Sequence, residues 1–124
     1  MILTARQETA IAICIALQGK SDPVSVDTIA PMIGYSRSQT EVIAIRLKRG
    51  GVLGAVRGAN GGYYLLRDAS HTTLLQIVNC IPLSEGQSRF YPDRSVRVYM
   101  DKLDLTHHNY LVKTTLADLM FKPV

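Results

Sequence analysis

The chain has 124 residues, 47% hydrophobic and 19% charged, with a formal net charge of +4. This length and balance predict one folded soluble domain with a modest core, or such a domain with one appended element. The longest apolar run, Ala10 to Leu17, is too short to span a bilayer, Met1-Ile2-Leu3-Thr4 starts no signal peptide, and Cys14 and Cys80 form neither a disulfide framework nor a zinc pattern, so the chain is expected to be cytoplasmic.

Helix starts are legible as Ser/Thr-x-x-Gln/Asp signatures at Thr4…Gln7, Ser36…Gln39, Thr73…Gln76 and Thr115…Asp118. In such a box the hydroxyl accepts from a free backbone N–H and the later side chain reaches back to the cap. The first helix is predicted from about Ala5 to Gln18, ending at Gly19, with a centre apolar on every side and therefore buried all round. A second helix follows Ser25, from about Val26 to Ile33, shortened or kinked by Pro31 and stopped by Gly34. A brief turn leads to a third helix, about Arg37 to Arg49, whose apolar side is read as Val42, Ile43, Ile45 and Leu47 and which ends at Gly50-Gly51. Two short helices around a small turn make a helix-turn-helix.

The segment Arg57-Gly58-Ala59-Asn60-Gly61-Gly62 packs three glycines and an asparagine into a reversal between strands predicted at Leu53 to Val56 and Tyr63 to Leu66. It reads as a wing with one cation at its tip. A fourth helix follows Thr73. Residues 82–94 read as a loop, and a long helix follows from about Arg94 to Lys113 with a stripe of Val96, Met100, Leu103, His107, Tyr110 and Thr114. A small winged domain has little room for that length, so the stripe is expected to meet the same helix of a second subunit.

Charge is uneven. Residues 1–67 hold eight Lys/Arg and four Asp/Glu (8 − 4 = +4), whereas residues 68–124 hold six of each. The basic half reads either as a polyanion-attracting face or as an ordinary solvated surface.

These landmarks resemble a family of bacterial winged-helix regulators that includes the iron–sulfur cluster regulator, the nitric-oxide-sensing repressor and the cysteine-metabolism repressor. The resemblance rests on Arg46-Leu47-Lys48-Arg49-Gly50-Gly51-Val52; on the wing residues Arg57, Gly58, Gly61, Gly62 and Tyr63; on Thr73, Leu74, Ile77 and Val78; and on Thr115-Leu116-Ala117-Asp118-Leu119. It implies a mainly α fold with a small β-hairpin, a winged helix-turn-helix plus a long C-terminal dimerisation helix. Residues 1–81 would be the DNA-binding domain, 82–94 the effector or sensor loop of relatives, and 95–124 the dimerisation helix with a short final helix. Cluster-binding members carry three cysteines in that loop; none stands there here. No iron–sulfur cluster or other cofactor is expected, as in the cluster-free branch.

The N-terminal residues of a recognition helix meet base edges in the major groove. Here these are Arg37, Ser38, Gln39 and Glu41. Arginine suits guanine, glutamine suits adenine, and glutamate accepts from cytosine. Gln39 has a competing role in the Ser36 capping box. Glu41 is either a solvated acid or, as the resemblance implies, a base discriminator. Arg37 and Gln39 replace the apolar and aromatic residues common in relatives, so their operator is not expected to carry over. Arg57 is the chief candidate for minor-groove contact, with Gly58 and Asn60 shaping the wing. Thr4, Arg6, Ser36, Lys48 and Arg49 are phosphate candidates. Cys14 reads as an inert core thiol, and Cys80, beside the loop, as either a redox residue or a structural one. Adjacent His107 and His108 point apart on a helix and hold no common metal; His107 reads as a histidine at a dimer seam, or as one titrating against its symmetry mate. No enzyme motif stands in the chain. The function expected is a dimeric, sequence-specific DNA-binding transcription regulator, a repressor at a short palindromic operator; the alternative is a winged-helix module that binds a partner protein.

Overall fold

The computed structural model describes residues 3–82 and 107–120. Within them, α1 (Ala5–Leu17), α2 (Val26–Ile33) and α3 (Arg37–Arg49) are followed by β1 (Leu53–Val56), β2 (Gly62–Leu65), a 3₁₀ turn (Ala69–His71) and α4 (Leu74–Asn79). Residues 107–113 are helical (α5), and α6 (Leu116–Met120) closes the described chain.

Helix α1 opens on a complete capping box. The Gln7 amide donates to Thr4 Oγ1 at 3.1 Å and the Thr4 amide to Gln7 Oε1 at 3.0 Å. Ala10, Ile13, Cys14 and Leu17 form its buried stripe, and it packs on α2, α3, α4, β2 and α6. The expectation of burial all round is not met: Ile15 is 37% exposed and Ile11 and Ala16 are only partly covered. The neighbours of α1 close over one side, and a continuous apolar run does not say where they stop.

Helix α2 starts at Ser25, whose hydroxyl accepts from the Thr28 amide, and is short, ending at left-handed Gly34 after Pro31. Ser36 then caps α3 by accepting from the Gln39 amide at 3.2 Å. The reciprocal half of that box is absent; instead the Ser36 hydroxyl donates to Gln39 Oε1 at 3.2 Å. The buried face of α3 is Thr40, Ile43, Ala44 and Leu47. Val42, read from sequence as core, is 46% exposed, and Ile45 is half-buried. Helix phase decides this. Ile43 and Leu47 are four apart and share the inward stripe, whereas Val42 lies about 100° away beside Ser38 and Gln39.

The end of α3 is a Schellman motif. The Val52 amide donates to the Leu47 carbonyl at 3.0 Å and the Gly51 amide to that of Lys48 at 3.1 Å, with Gly51 at φ +79°. Val52 and Leu47 are both buried, which supplies the hydrophobic contact of that motif. The chain is thereby aimed directly into β1.

Strands β1 and β2 pair antiparallel, with Leu53 opposite Leu65 and Val56 opposite Gly62. The second strand starts one residue earlier than its sequence signal. A third rung was not legible: Val24 pairs with Tyr63 through two backbone hydrogen bonds of 2.8 and 2.9 Å. The wing is therefore tied to the segment that leads into α2. Gly62 is required there, because a Cβ would strike the backbone of Val24 and Ser25. At the tip, Gly58 takes φ +115°, a conformation that L-residues avoid, and its carbonyl accepts from the Gly61 amide at 3.0 Å.

Helix α4 has a complete capping box from Thr73 and Gln76. The C-terminal segment returns against it. Thr73 bridges Thr115, the Leu74 amide donates to the Thr114 carbonyl at 2.9 Å, and the Leu116 amide to that of Thr72 at 2.7 Å. Leu111 and Leu116 lie in the same buried cluster as α1, α3 and α4. Of the proposed dimer stripe, Val96, Met100 and Leu103 lie outside the described residues. Thr114 is buried in the chain's own body, whereas Tyr110 is 53% and the neighbouring Val112 44% exposed.

Candidate nucleic-acid interface

Helix α3 presents Arg37, Ser38, Gln39, Val42, Lys48 and Arg49 to solvent, with Glu41 and Arg46 half-buried. Its inward stripe fixes this outward one, so the exposed polar residues and the residues that anchor the helix are on opposite sides of it. Arg6 of α1 reaches the same place. A cleft of about 160 Å³ is lined by Arg6, Tyr35, Ser38, Gln39, Val42 and Ile43, so the start of α1 and the outer face of α3 share one surface. Thr4, by contrast, is half-buried and committed to its capping box.

The wing follows α3 through β1, which packs against it. Arg57, Gly58 and Asn60 are exposed at its tip. An open groove of about 710 Å³ runs between the tip and the Lys20–Ser25 segment, lined by Lys20, Ser21, Val24, Thr28, Asn60 and Gly61 among others. Lys20 thus joins the basic residues near the wing. Val42 is the second residue missed by sequence reasoning. Its spacing from Ser38 and Gln39 was the available signal, and its apolar character concealed it.

Charges on α3 are paired across elements. Arg37 Nε donates to Asp27 Oδ1 of α2 at 2.6 Å, and both side chains are largely exposed. The hydrogen bond to Asp27 and then the charge of Asp27 hold the Arg37 guanidinium above its ordinary pKa, with a smaller contribution from Glu41. Burial, and then the charge of Glu41, push the Tyr63 hydroxyl up. Glu41 therefore acts on both the start of α3 and the base of the hairpin.

The two thiols are of a different kind. Burial pushes Cys14 up to about 12, with Cys80 adding to the effect. Burial also raises Cys80, whose Sγ donates to the Gln76 carbonyl at 3.2 Å and packs where a side chain on Gly50 would stand. Among the described residues no neighbouring cation lowers either thiol, the usual route to reactivity. A raised folded-state pKa favours the protonated form. Its contribution is therefore fully present below the ordinary value of 9.0 and is lost as pH climbs towards 12. Unfolding stability should fall progressively across that window because of this group. Urea titrations of wild type and Cys14→Ala at pH 8 to 11 check it: the variant should show the shallower alkaline decline.

The Rrf2 family, described as iron-dependent transcriptional regulators, matches residues 3–122. The chain belongs to the Rrf2 family of transcriptional regulators. It is 30% identical over 114 residues to ORF2 of Azotobacter vinelandii, assigned as an HTH-type transcriptional regulator, covering 86% of this chain and 70% of that protein. It is 31% identical over 91 residues to the HTH-type transcriptional regulator IscR of Escherichia coli K12, covering 72% of this chain. It spans only 56% of that IscR's length. The fold superposes on IscR of T. potens with a TM-score of 0.77 at 26% identity, over 97% of this chain and 86% of the other. Oxidised CymR of Staphylococcus aureus gives a TM-score of 0.81 at 23% identity, over 100% and 99% of the two chains, a likeness of fold. These relatives are regulators rather than enzymes.

Among the described residues no group of three or more His, Cys, Asp or Glu is placed to hold a metal. The sequence has two cysteines in all; Cys14 is fully buried with its thiol held protonated. Iron–sulfur cluster ligation takes several thiolates together, and no such set stands among the described residues.

Proposed function

We propose that this Rrf2 protein is a homodimeric, sequence-specific DNA-binding regulator that represses transcription at a short palindromic operator. The observation that carries this reading is the outer face of α3, where Arg37, Ser38, Gln39 and Val42 stand exposed with Lys48 and Arg49 at the far end. The side chains can contribute bidentate, hydrogen-bonding and methyl-contacting chemistry to a major groove. Arg57 at the wing tip would enter the flanking minor groove, and Arg6, Lys20, Lys48 and Arg49 would neutralise phosphates. Exposed Tyr110 and Val112 on α5 support a second copy as the partner of that helix. Two readers related by a two-fold axis would then occupy half-sites about one helical turn, or a multiple, apart. Repression would be steric.

Sensing would use no iron–sulfur cluster. Protein purified anaerobically should be colourless, without stoichiometric iron and sulfide; a brown protein with both would overturn this part of the proposal. The DNA reading itself is tested by in vitro selection from duplexes with a random core. Enrichment of a two-fold symmetric sequence supports it, and a pool recovered without sequence preference contradicts it.

A further inference from the structure

Arg37 is the first residue of α3, directly after the Ser36 cap. A cation there opposes the positive end of the helix dipole, so the site needs a nearby anion. Asp27, in the first turn of α2, supplies it through the 2.6 Å bond from Arg37 Nε. The pair is exposed on both sides, 63% and 72%, and surface pairs of this kind contribute little to stability. Its consequence is geometric.

We propose that Asp27 is a specificity-determining positioning residue: by holding the Nε edge of Arg37 it presents the terminal N–H fork of the guanidinium end-on to one guanine in each half-site. This rests on the DNA-reading function proposed above. A guanidinium has five N–H donors in a planar fork. With the Nε–H bonded to Asp27, the two terminal nitrogens remain, and their spacing matches the O6 and N7 acceptors of guanine. An untethered arginine at an exposed helix start would sample many rotamers and could settle on any phosphate, which carries no sequence information. The Asp27 carboxylate removes both alternatives. It fixes the plane of the fork, and its charge disfavours a phosphate at the same spot. Glu41, one turn further along α3, adds a second negative charge felt by Arg37. The helix-turn-helix thus carries its specificity across the turn: the residue that reads lies on α3 and the residue that aims it lies on α2.

The test uses the full chain as wild type, Asp27→Asn, Arg37→Ala and the double variant. The probes are a duplex bearing the selected sequence and copies with each half-site G·C pair replaced in turn by A·T, titrated by fluorescence anisotropy. Wild type should lose about tenfold or more in affinity at one G·C position per half-site. Arg37→Ala should abolish that discrimination. Asp27→Asn should reduce it several-fold at the same position and nowhere else, with no further effect in the Arg37→Ala background. Asp27→Ser, also compatible with a helix start, should behave alike and covers the case in which Asn disturbs α2. Wild-type discrimination retained in the Asp27 variants, or an equal affinity change on every duplex, overturns the proposal and leaves the DNA reading standing. A wild-type protein that prefers no duplex overturns both.

Discussion

Arg57→Ala should weaken binding to a preferred duplex by about 1–3 kcal/mol, roughly a five- to 150-fold rise in Kd. The size of the effect comes from where Arg57 is held. The wing is no loose hairpin: the Val24–Tyr63 rung makes β2 the middle of three extended segments, and Gly62 lets the backbones meet. A cation on a preorganised support loses little entropy on entering a groove. A narrow minor groove would concentrate negative potential around it. Arg57 is exposed and stands outside the core, so the variant should unfold at the same denaturant concentration as wild type. Anisotropy titrations beside urea melts check both halves of the expectation. Unchanged affinity in Arg57→Ala would remove the wing from the interface.

Leu47→Ala should have the largest effect on stability, a loss of about 2–5 kcal/mol. Leu47 is wholly buried on the inward stripe of α3, and its carbonyl also accepts the Val52 amide in the Schellman turn. Truncation leaves a cavity under the recognition helix and loosens its exit into β1. Val42→Ala, on the same helix but outward, offers the contrast. It should leave stability within about 0.5 kcal/mol while reducing preference at any thymine the helix contacts. Denaturant unfolding of the two variants separates anchoring from reading. Equal stability losses would mean that the phase assigned to α3 is wrong.

Features decided by neighbours in sequence were legible before the structure. The Thr4 and Thr73 capping boxes, the stop at Gly34, the double-glycine end of α3 and the Arg57 wing each depend on residues within a few positions of one another. Features decided across elements were not. Val42 and Ile43 are equally apolar in sequence, and only the packing of α3 on α1 and β1 decides which of them turns inward. The Val24 rung is a single residue pair with no periodic signal. The Arg37–Asp27 pair spans ten positions and a turn, beyond any helical spacing rule. Ile15 shows the same limit from the other side, since an unbroken apolar run in α1 overstated its burial. The candidate site was therefore legible as a set of residues. Its division into buried residues, exposed residues and the Arg37–Asp27 pair came from the tertiary structure.

On the proposed function, the basic half of the chain engages the phosphates and grooves of duplex DNA. The most direct measurement is the affinity for the selected duplex as a function of salt. Each phosphate neutralised releases counterions and contributes about −0.9 to the slope of log K against log salt concentration. Arg6, Lys20, Lys48 and Arg49 would together give about −3 to −4 per protomer. A slope of that size supports the account. Affinity that is insensitive to salt would contradict it and point instead to a module that docks on the apolar surface of a protein partner.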